Sequence, residues 1–177
     1  MMWETRRQGG LQGDRSLVTA EDNQLNQSAT KAAAKELFMG TVRELVWAYQ
    51  AFRSYSDAHI RQMGLTSSQF DVISTLGNTP GMTFHKLAEK TLTTKGELTG
   101  IIDRLEKKGL VRREVPKEDR RSFLAVLTPE GEKVFAETFP AHIAYLKERF
   151  DLLEPEDLPQ IEAALAKLKS LFEKVSI

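Results

Sequence analysis

Thr94-Lys95-Gly96-Glu97-Leu98-Thr99-Gly100-Ile101-Ile102-Asp103-Arg104-Leu105-Glu106-Lys107-Lys108-Gly109 is the stretch whose reading decides the fold. It opens with a threonine followed three residues later by a glutamate. In such a capping box each side chain takes a backbone amide that the helix start leaves unpaired. Leu98, Ile101, Ile102 and Leu105 recur at steps of three and four, which makes one face apolar. Gly109 supplies the residue that enters the left-handed region most easily and so ends the helix. Thr94, Lys95, Gly96 and Thr99 lie opposite the apolar face, at the N-terminal end. Short hydroxyls and a glycine allow close approach to base edges, Lys95 can donate to guanine, and exposed helix-start amides favour phosphate.

Just upstream, Thr83 can cap a short helix whose Phe84, Leu87 and Ala88 point inward, and Thr91-Leu92-Thr93 is a tight break. The pair 83–90 and 94–108 therefore has helix-turn-helix proportions. In such a unit the second helix enters the major groove. Further upstream, Thr66-Ser67-Ser68-Gln69 is another capping box, ahead of a helix with Phe70, Ile73 and Leu76 on one face. The turn cluster Gly77-Asn78-Thr79-Pro80-Gly81 stops it.

Downstream the period changes from helix to strand. Leu110 to Val115 and Phe123 to Leu127 are short apolar runs joined by a charged loop, the pattern of a β-hairpin. The loop holds Lys117, Arg120 and Arg121. An arginine at a hairpin tip fits a narrow minor groove, where negative potential concentrates. Asp119 can pair with Arg121 and fix its direction. Arg104 can touch a phosphate, or pair with Asp103 or a neighbour. Arg112 and Arg113 read as strand-surface charges, with phosphate contact as the second reading.

Outside this lobe, residues 31–65 carry a helical stripe through Leu37, Val42, Leu45, Tyr49, Phe52, Tyr55 and His59, ending at Gly64. So long a helix, apolar on more than one side, needs a partner chain as cover. Thr128-Pro129-Glu130 starts another helix, with proline in the first turn and an acid at the positive dipole end. Pro140 is expected to bend or break it. Leu153-Glu154-Pro155-Glu156 interrupts the chain before a last amphipathic helix through Ile161, Leu165, Leu168, Leu171 and Phe172. Residues 1–30, rich in Gln, Gly, Asn and Ser, read as a flexible tail in which Arg6, Arg7 and Arg15 can touch a phosphate backbone. The division is thus a tail at 1–30, a dimerisation helix at 31–65, a DNA-binding lobe at 66–128 and dimerisation helices at 129–177. The fold class is mainly α with a small β-hairpin wing.

Composition narrows the function. The 177 residues include no cysteine and carry no net charge, yet residues 83–121 hold 11 basic and 7 acidic groups. Local potential, not net charge, is what a phosphate backbone meets. No apolar run approaches the roughly 18 to 20 residues that span a bilayer, so a soluble cytoplasmic protein with no membrane partner is expected. There is no Gly-rich phosphate loop, no HExxH and no nucleophile elbow, so an enzyme is not expected. His59, His85 and His142 lack the spacing of a metal site, and no metal or cofactor is expected. Trp47, Phe52, Tyr55 and Phe70, with His59, can line an effector pocket or simply form core or dimer seam. A purely protein-binding winged helix is the alternative reading, but it needs neither a basic wing tip nor a hydroxyl-lined recognition helix.

Three segments in order carry a more specific signal: Ile101 to Val111 (IIDRLEKKGLV), Asp119-Arg120-Arg121-Ser122, and Leu127-Thr128-Pro129-Glu130-Gly131. Together the chain resembles the MarR family of bacterial transcription regulators over about residues 37 to 175. The resemblance implies a winged helix-turn-helix homodimer, intertwined through its first and last helices. It implies a wing whose Arg121 enters the minor groove, supported by Asp119. It also implies a roughly palindromic double-stranded operator, with half-sites about one helical turn apart. Many relatives are released from DNA by a small aromatic or anionic molecule. Cysteine-based oxidant sensing is not open to this chain.

Overall fold

The computed structural model describes residues 20–115 and 123–173, which divide into two units, Met1–Tyr49 and Gln50–Ile177. The first unit holds α1 (Ala20–Ala33) and the start of α2 (Phe38–Gln62). Part of the expected tail is therefore helical: residues 20–30 lie within α1, where Ala, Glu, Asn and Gln run without Gly or Pro. The expected continuous helix from Lys31 is instead interrupted. The amides of Lys35 and Glu36 bond back only three residues, to Ala32 and Ala33, and α2 restarts at Phe38. Its 25 residues span about 37 Å at about 1.5 Å per residue. Trp47 is exposed here, with the Arg43 guanidinium 5.8 Å from its ring centre.

The second unit carries the rest of α2, then α3 (Ser67–Leu76), β1 (Met82–Thr83), α4 (Phe84–Thr91), α5 (Lys95–Lys107), β2 (Val111–Glu114), β3 (Leu124–Leu127), α6 (Pro129–Phe150) and α7 (Asp157–Glu173). Both capping boxes form. Thr66 and Gln69 exchange bonds at the start of α3, as do Thr94 and Glu97 at the start of α5. Gly64 and Gly109 take φ of 76° and 72°, the left-handed geometry that a Cβ disfavours.

β2 and β3 pair antiparallel with Val111 opposite Leu127 and Glu114 opposite Leu124. A third strand goes beyond the expected hairpin: β1 pairs with β3, Met82 opposite Ala125, giving the order β1-β3-β2. Two residues carry no periodicity, so this strand has no sequence signature. Gly81 makes it possible, with φ of 95° and a position where a Cβ would lie 2.6 Å from the Ala125 carbonyl oxygen.

One core unites the lobe. Val72, Ile73 and Leu76 of α3, Leu87 of α4, Leu98, Ile102 and Leu105 of α5, and Ala125 of β3 are all buried. α6 joins through Phe135, whose ring packs over Gly77. Its first turn is anchored by Thr128, whose hydroxyl accepts from the Gly131 amide and donates to the Gly109 carbonyl. Pro140, expected to bend or break this helix, lies inside an unbroken Pro129–Phe150 span. α7 buries none of its residues, and Ile161, Leu165, Leu171 and Phe172 are exposed along it. Among the described residues no helix is long and apolar enough to cross a membrane.

Candidate nucleic-acid interface

α4 and α5 present the site. The turn between them is closed by Leu92 in the left-handed region, φ 52°, with the Thr91 and Thr93 hydroxyls 2.8 Å apart. The Thr93 amide bonds back to the Ala88 carbonyl. Along α5, Thr94, Lys95, Gly96 and Thr99 are exposed while Leu98, Ile101, Ile102 and Leu105 are buried. Burying one stripe on the lobe's core turns the opposite, short-chained stripe to solvent.

The residues on that stripe differ in freedom. Glu97 accepts from the Thr94 hydroxyl at 2.7 Å and from its amide at 3.0 Å. Those bonds favour the carboxylate and hold its pKa below the usual glutamate value. Thr99 donates to the Lys95 carbonyl at 2.9 Å, which fixes its rotamer. Lys95 makes no side-chain bond among the described residues. No Cβ built on Gly96 meets an atom within 4 Å, so the backbone there is open to a close-approaching ligand.

Beside this face lies an open groove of about 390 Å³ lined by Ser68, Thr93, Gly96, Glu97, Gly100 and Arg104, with Ile101 at its base. Sequence left Arg104 between phosphate contact and pairing with Asp103. In the structure Asp103 is taken by another residue, and Arg104 has no ion pair among the described residues. Arg104 and Glu97 put one guanidinium and one carboxylate on this lining, so an anion entering beside the start of α3 would pair with Arg104 alone.

The residue that takes Asp103 is Arg113, expected to be a plain strand-surface charge. Its guanidinium reaches Asp103 at 2.5 Å and Glu106 at 2.8 Å, and lies 5.4 Å from the Phe84 ring centre. The Arg113 amide also donates to Glu106 at 3.1 Å. One side chain thus ties α4, α5 and β2 together. Residues 103 and 113 lie on different elements, so no helical or strand period links them in the sequence. Arg112 instead bonds Glu114 and the Leu127 carbonyl, and His85 faces Glu89 at 3.4 Å. Lys108 reaches the Gly64 carbonyl and the Gln69 side chain, which fastens the end of α5 to the α2–α3 junction.

The expected wing-tip residues Lys117, Asp119, Arg120 and Arg121 lie outside the described residues. The strands on either side of them, β2 and β3, pair antiparallel.

Of the aromatic set, the structure brings together Tyr55, His59 and Phe70. It adds two neighbours from α6 that sequence reasoning did not place there. Tyr145 stacks on Tyr55 at 4.3 Å and on His59 at 4.1 Å, and Phe70 meets His142 edge-on at 4.8 Å. Phe52 is exposed and stands outside this cluster. Trp47 falls in the other unit.

Residues 65–123 match the profile of the MarR family. The chain is 34% identical over 110 residues to the HTH-type transcriptional regulator FarR of Neisseria gonorrhoeae, covering 62% of this chain and 73% of that one. Its fold superposes on AbsC, a MarR family transcriptional regulator from Streptomyces coelicolor, with a TM-score of 0.72 and 29% identity, covering 78% of this chain and 96% of that one. It is likewise similar to NadR solved in complex with 4-hydroxyphenylacetate, with a TM-score of 0.60 and 31% identity, covering 70% and 88%.

Proposed function

The chain belongs to the MarR family of transcriptional regulators, and on that premise we propose how it acts. It works as a homodimeric repressor that binds a roughly palindromic operator and leaves it when a small aromatic acid binds. The observation that carries this reading is the exposed stripe of Thr94, Lys95, Gly96 and Thr99 on a helix whose other face is locked into the core. A rigid helix with short side chains at its N-terminal end fits a major groove. Arg104 and the amides at the helix starts hold phosphates. The wing residues Lys117, Arg120 and Arg121, with Asp119 directing Arg121, reach the flanking minor groove.

A dimer supplies the two half-sites and covers the exposed apolar residues of α2 and α7. Leu45, Val46 and Phe52 on one helix and Leu165, Leu171 and Phe172 on the other are unburied in the single chain. Bound across a promoter, such a dimer excludes polymerase by occupying the same DNA. Its action is binding, not catalysis, and its place is the cytoplasm, where that DNA is.

A planar aromatic acid would displace one ring of the Tyr55, Tyr145 and His59 stack, because at 4.3 and 4.1 Å the rings leave no room between them for another. The Arg149 guanidinium, 5.1 Å from the Tyr55 ring centre, offers a carboxylate its partner.

The test is a gel shift of the purified protein on the DNA upstream of its own gene, competed with scrambled DNA at physiological salt. A shift that survives the competitor is expected, and it should weaken steeply with salt because counterions are released from neutralised phosphates. Lys95→Ala and Thr99→Ala should change sequence preference, whereas phosphate contacts weaken all sequences alike. No specific complex, on this DNA or on any recovered from random-sequence selection, would refute the reading.

A further inference from the structure

Among the described residues His142 is one of four buried polar side chains, 3% exposed, and it faces another histidine. The Nδ1 atoms of His59 on α2 and His142 on α6 lie 3.1 Å apart, and His142 Nε2 lies 3.1 Å from the Ser56 hydroxyl oxygen. Two imidazole nitrogens at that distance hold together only if one carries a proton and the other a lone pair. The contact is therefore a readout of protonation by its geometry alone.

Counting protons shows which states keep it. With both rings neutral, one is the Nδ1–H tautomer and donates to the bare Nδ1 of the other. With one proton added, the ring holding it donates from Nδ1 to the other's lone pair, a stronger, charge-assisted bond. With a second proton, two N–H groups and two positive charges face each other at 3.1 Å, and the bond no longer exists. Ser56 adapts throughout, because a hydroxyl donates or accepts.

We propose that the His59–His142 pair is a proton-operated latch between α2 and α6, closed with at most one proton and opened by the second. Opening it loosens the two helices that flank the DNA-binding lobe, and so weakens operator binding in acid. The proposal rests on the DNA-binding reading above.

The surroundings support it. Burial disfavours the charged form of His142, and the charge on His59 disfavours it further, so its pKa falls below the ordinary histidine value. The second protonation is thus displaced toward acid and belongs to the pair, not to one ring. Tyr145 stacks on His59 at 4.1 Å, and the charged and titratable groups along the same elements are Arg53, Tyr55 and Asp57 on α2, Asp71 on α3, and Glu148 and Arg149 on α6. Arg53 bonds Asp57, which also accepts from Ser67. Arg149 lies over Tyr55, and the Tyr55 hydroxyl donates to the Tyr145 carbonyl at 3.2 Å. The mechanical link to the lobe is short on α2 and runs about 20 Å along α6 from Thr128 to His142. α2 passes through Gly64 into α3, and α6 begins at Thr128, bonded to the Gly109 carbonyl.

Two measurements on the full chain, freed of metal with EDTA, decide the matter. The first is long-range nitrogen–proton NMR of the imidazoles from pH 8 to 5. One Nδ1–H and one Nε2–H tautomer are expected at pH 8, with two linked titration steps, the second in acid. Independent titration of both rings at ordinary values would overturn the latch, whatever the protein does with DNA. The second is anisotropy on a selected operator at fixed ionic strength, with His59→Gln and His59→Phe, which place a neutral side chain opposite His142. Wild type should lose about fivefold or more additional affinity between pH 7.5 and 5.5 compared with either variant, the low end of ordinary site-to-site coupling. Superimposable curves would remove the link to DNA. Absence of specific binding by wild type at every pH would instead remove the DNA-binding reading, while the NMR titration still judges the pair.

Discussion

Replacing Arg113 by leucine takes away a side chain that joins α4, α5 and β2. The substitution removes N–H donors at 2.5 Å from Asp103 and 2.8 Å from Glu106, and a cation over Phe84. Hydrogen bonds to charged groups are worth roughly 1.5–3 kcal/mol when water is excluded, and exposed ion pairs roughly 0–1 kcal/mol. Here Arg113 and Glu106 are 29% exposed and Asp103 is 49% exposed, so the carboxylates recover part of their hydration. The Arg113 amide bond to Glu106 survives, because it is backbone. The expected loss is about 1–2 kcal/mol of stability, read from urea denaturation. It should shrink in high salt, as screening weakens the wild-type pairs. Arg113→Lys should recover only part, since an ammonium keeps the charge but cannot fork between two carboxylates. Affinity for random DNA should also fall, because two carboxylates on α5 are left uncompensated near phosphates. Wild-type stability and wild-type DNA affinity in Arg113→Leu would refute the assignment of this clamp.

Four further outcomes are expected. Gly131→Ala places a Cβ 2.0 Å from the Leu110 carbonyl oxygen, a backbone atom that cannot step aside, so stability should fall by about 1–3 kcal/mol or more in denaturant titration. Gly96→Ala meets no atom within 4 Å and should stabilise α5 by about 0.5–1 kcal/mol, yet weaken operator binding if bases approach the backbone there; unchanged affinity would count against that close approach. Because the folded-state pKa of His142 is depressed, the unfolded chain takes up its proton first as pH falls, so stability should be full above about 6.5 and decline from there down to the folded value. Urea midpoints at pH 7.5, 6.5 and 5.5 read this, and His142→Gln should flatten the slope. Leu165→Glu, on the exposed apolar stripe of α7, should leave the lobe folded but drive sedimentation from dimer to monomer, and an unchanged dimer would place the interface elsewhere.

What the sequence determined by itself was the caps, the hairpin and the polar face of α5, each governed by contacts at short range. Thr66, Thr83, Thr94 and Thr128 were legible as caps because a cap is a contact within three residues of itself. The hairpin and the polar face of α5 were legible because burial of one face imposes a period of two or of 3.6. The tertiary structure decided what depends on residues distant in the chain. Arg113 meets Asp103 only because β2 folds back along α5, and Met82 becomes strand only because Ala125 arrives beside it. His142 and Tyr145 join Tyr55, His59 and Phe70 only because α6 packs against α2 and α3. The break before Phe38 carries no Gly or Pro to announce it, and Pro140 sits in a helix that continues on either side. Local propensity proposes elements, but long-range packing chooses their partners, and the clamp on α5 and the histidine pair are both made of such partners.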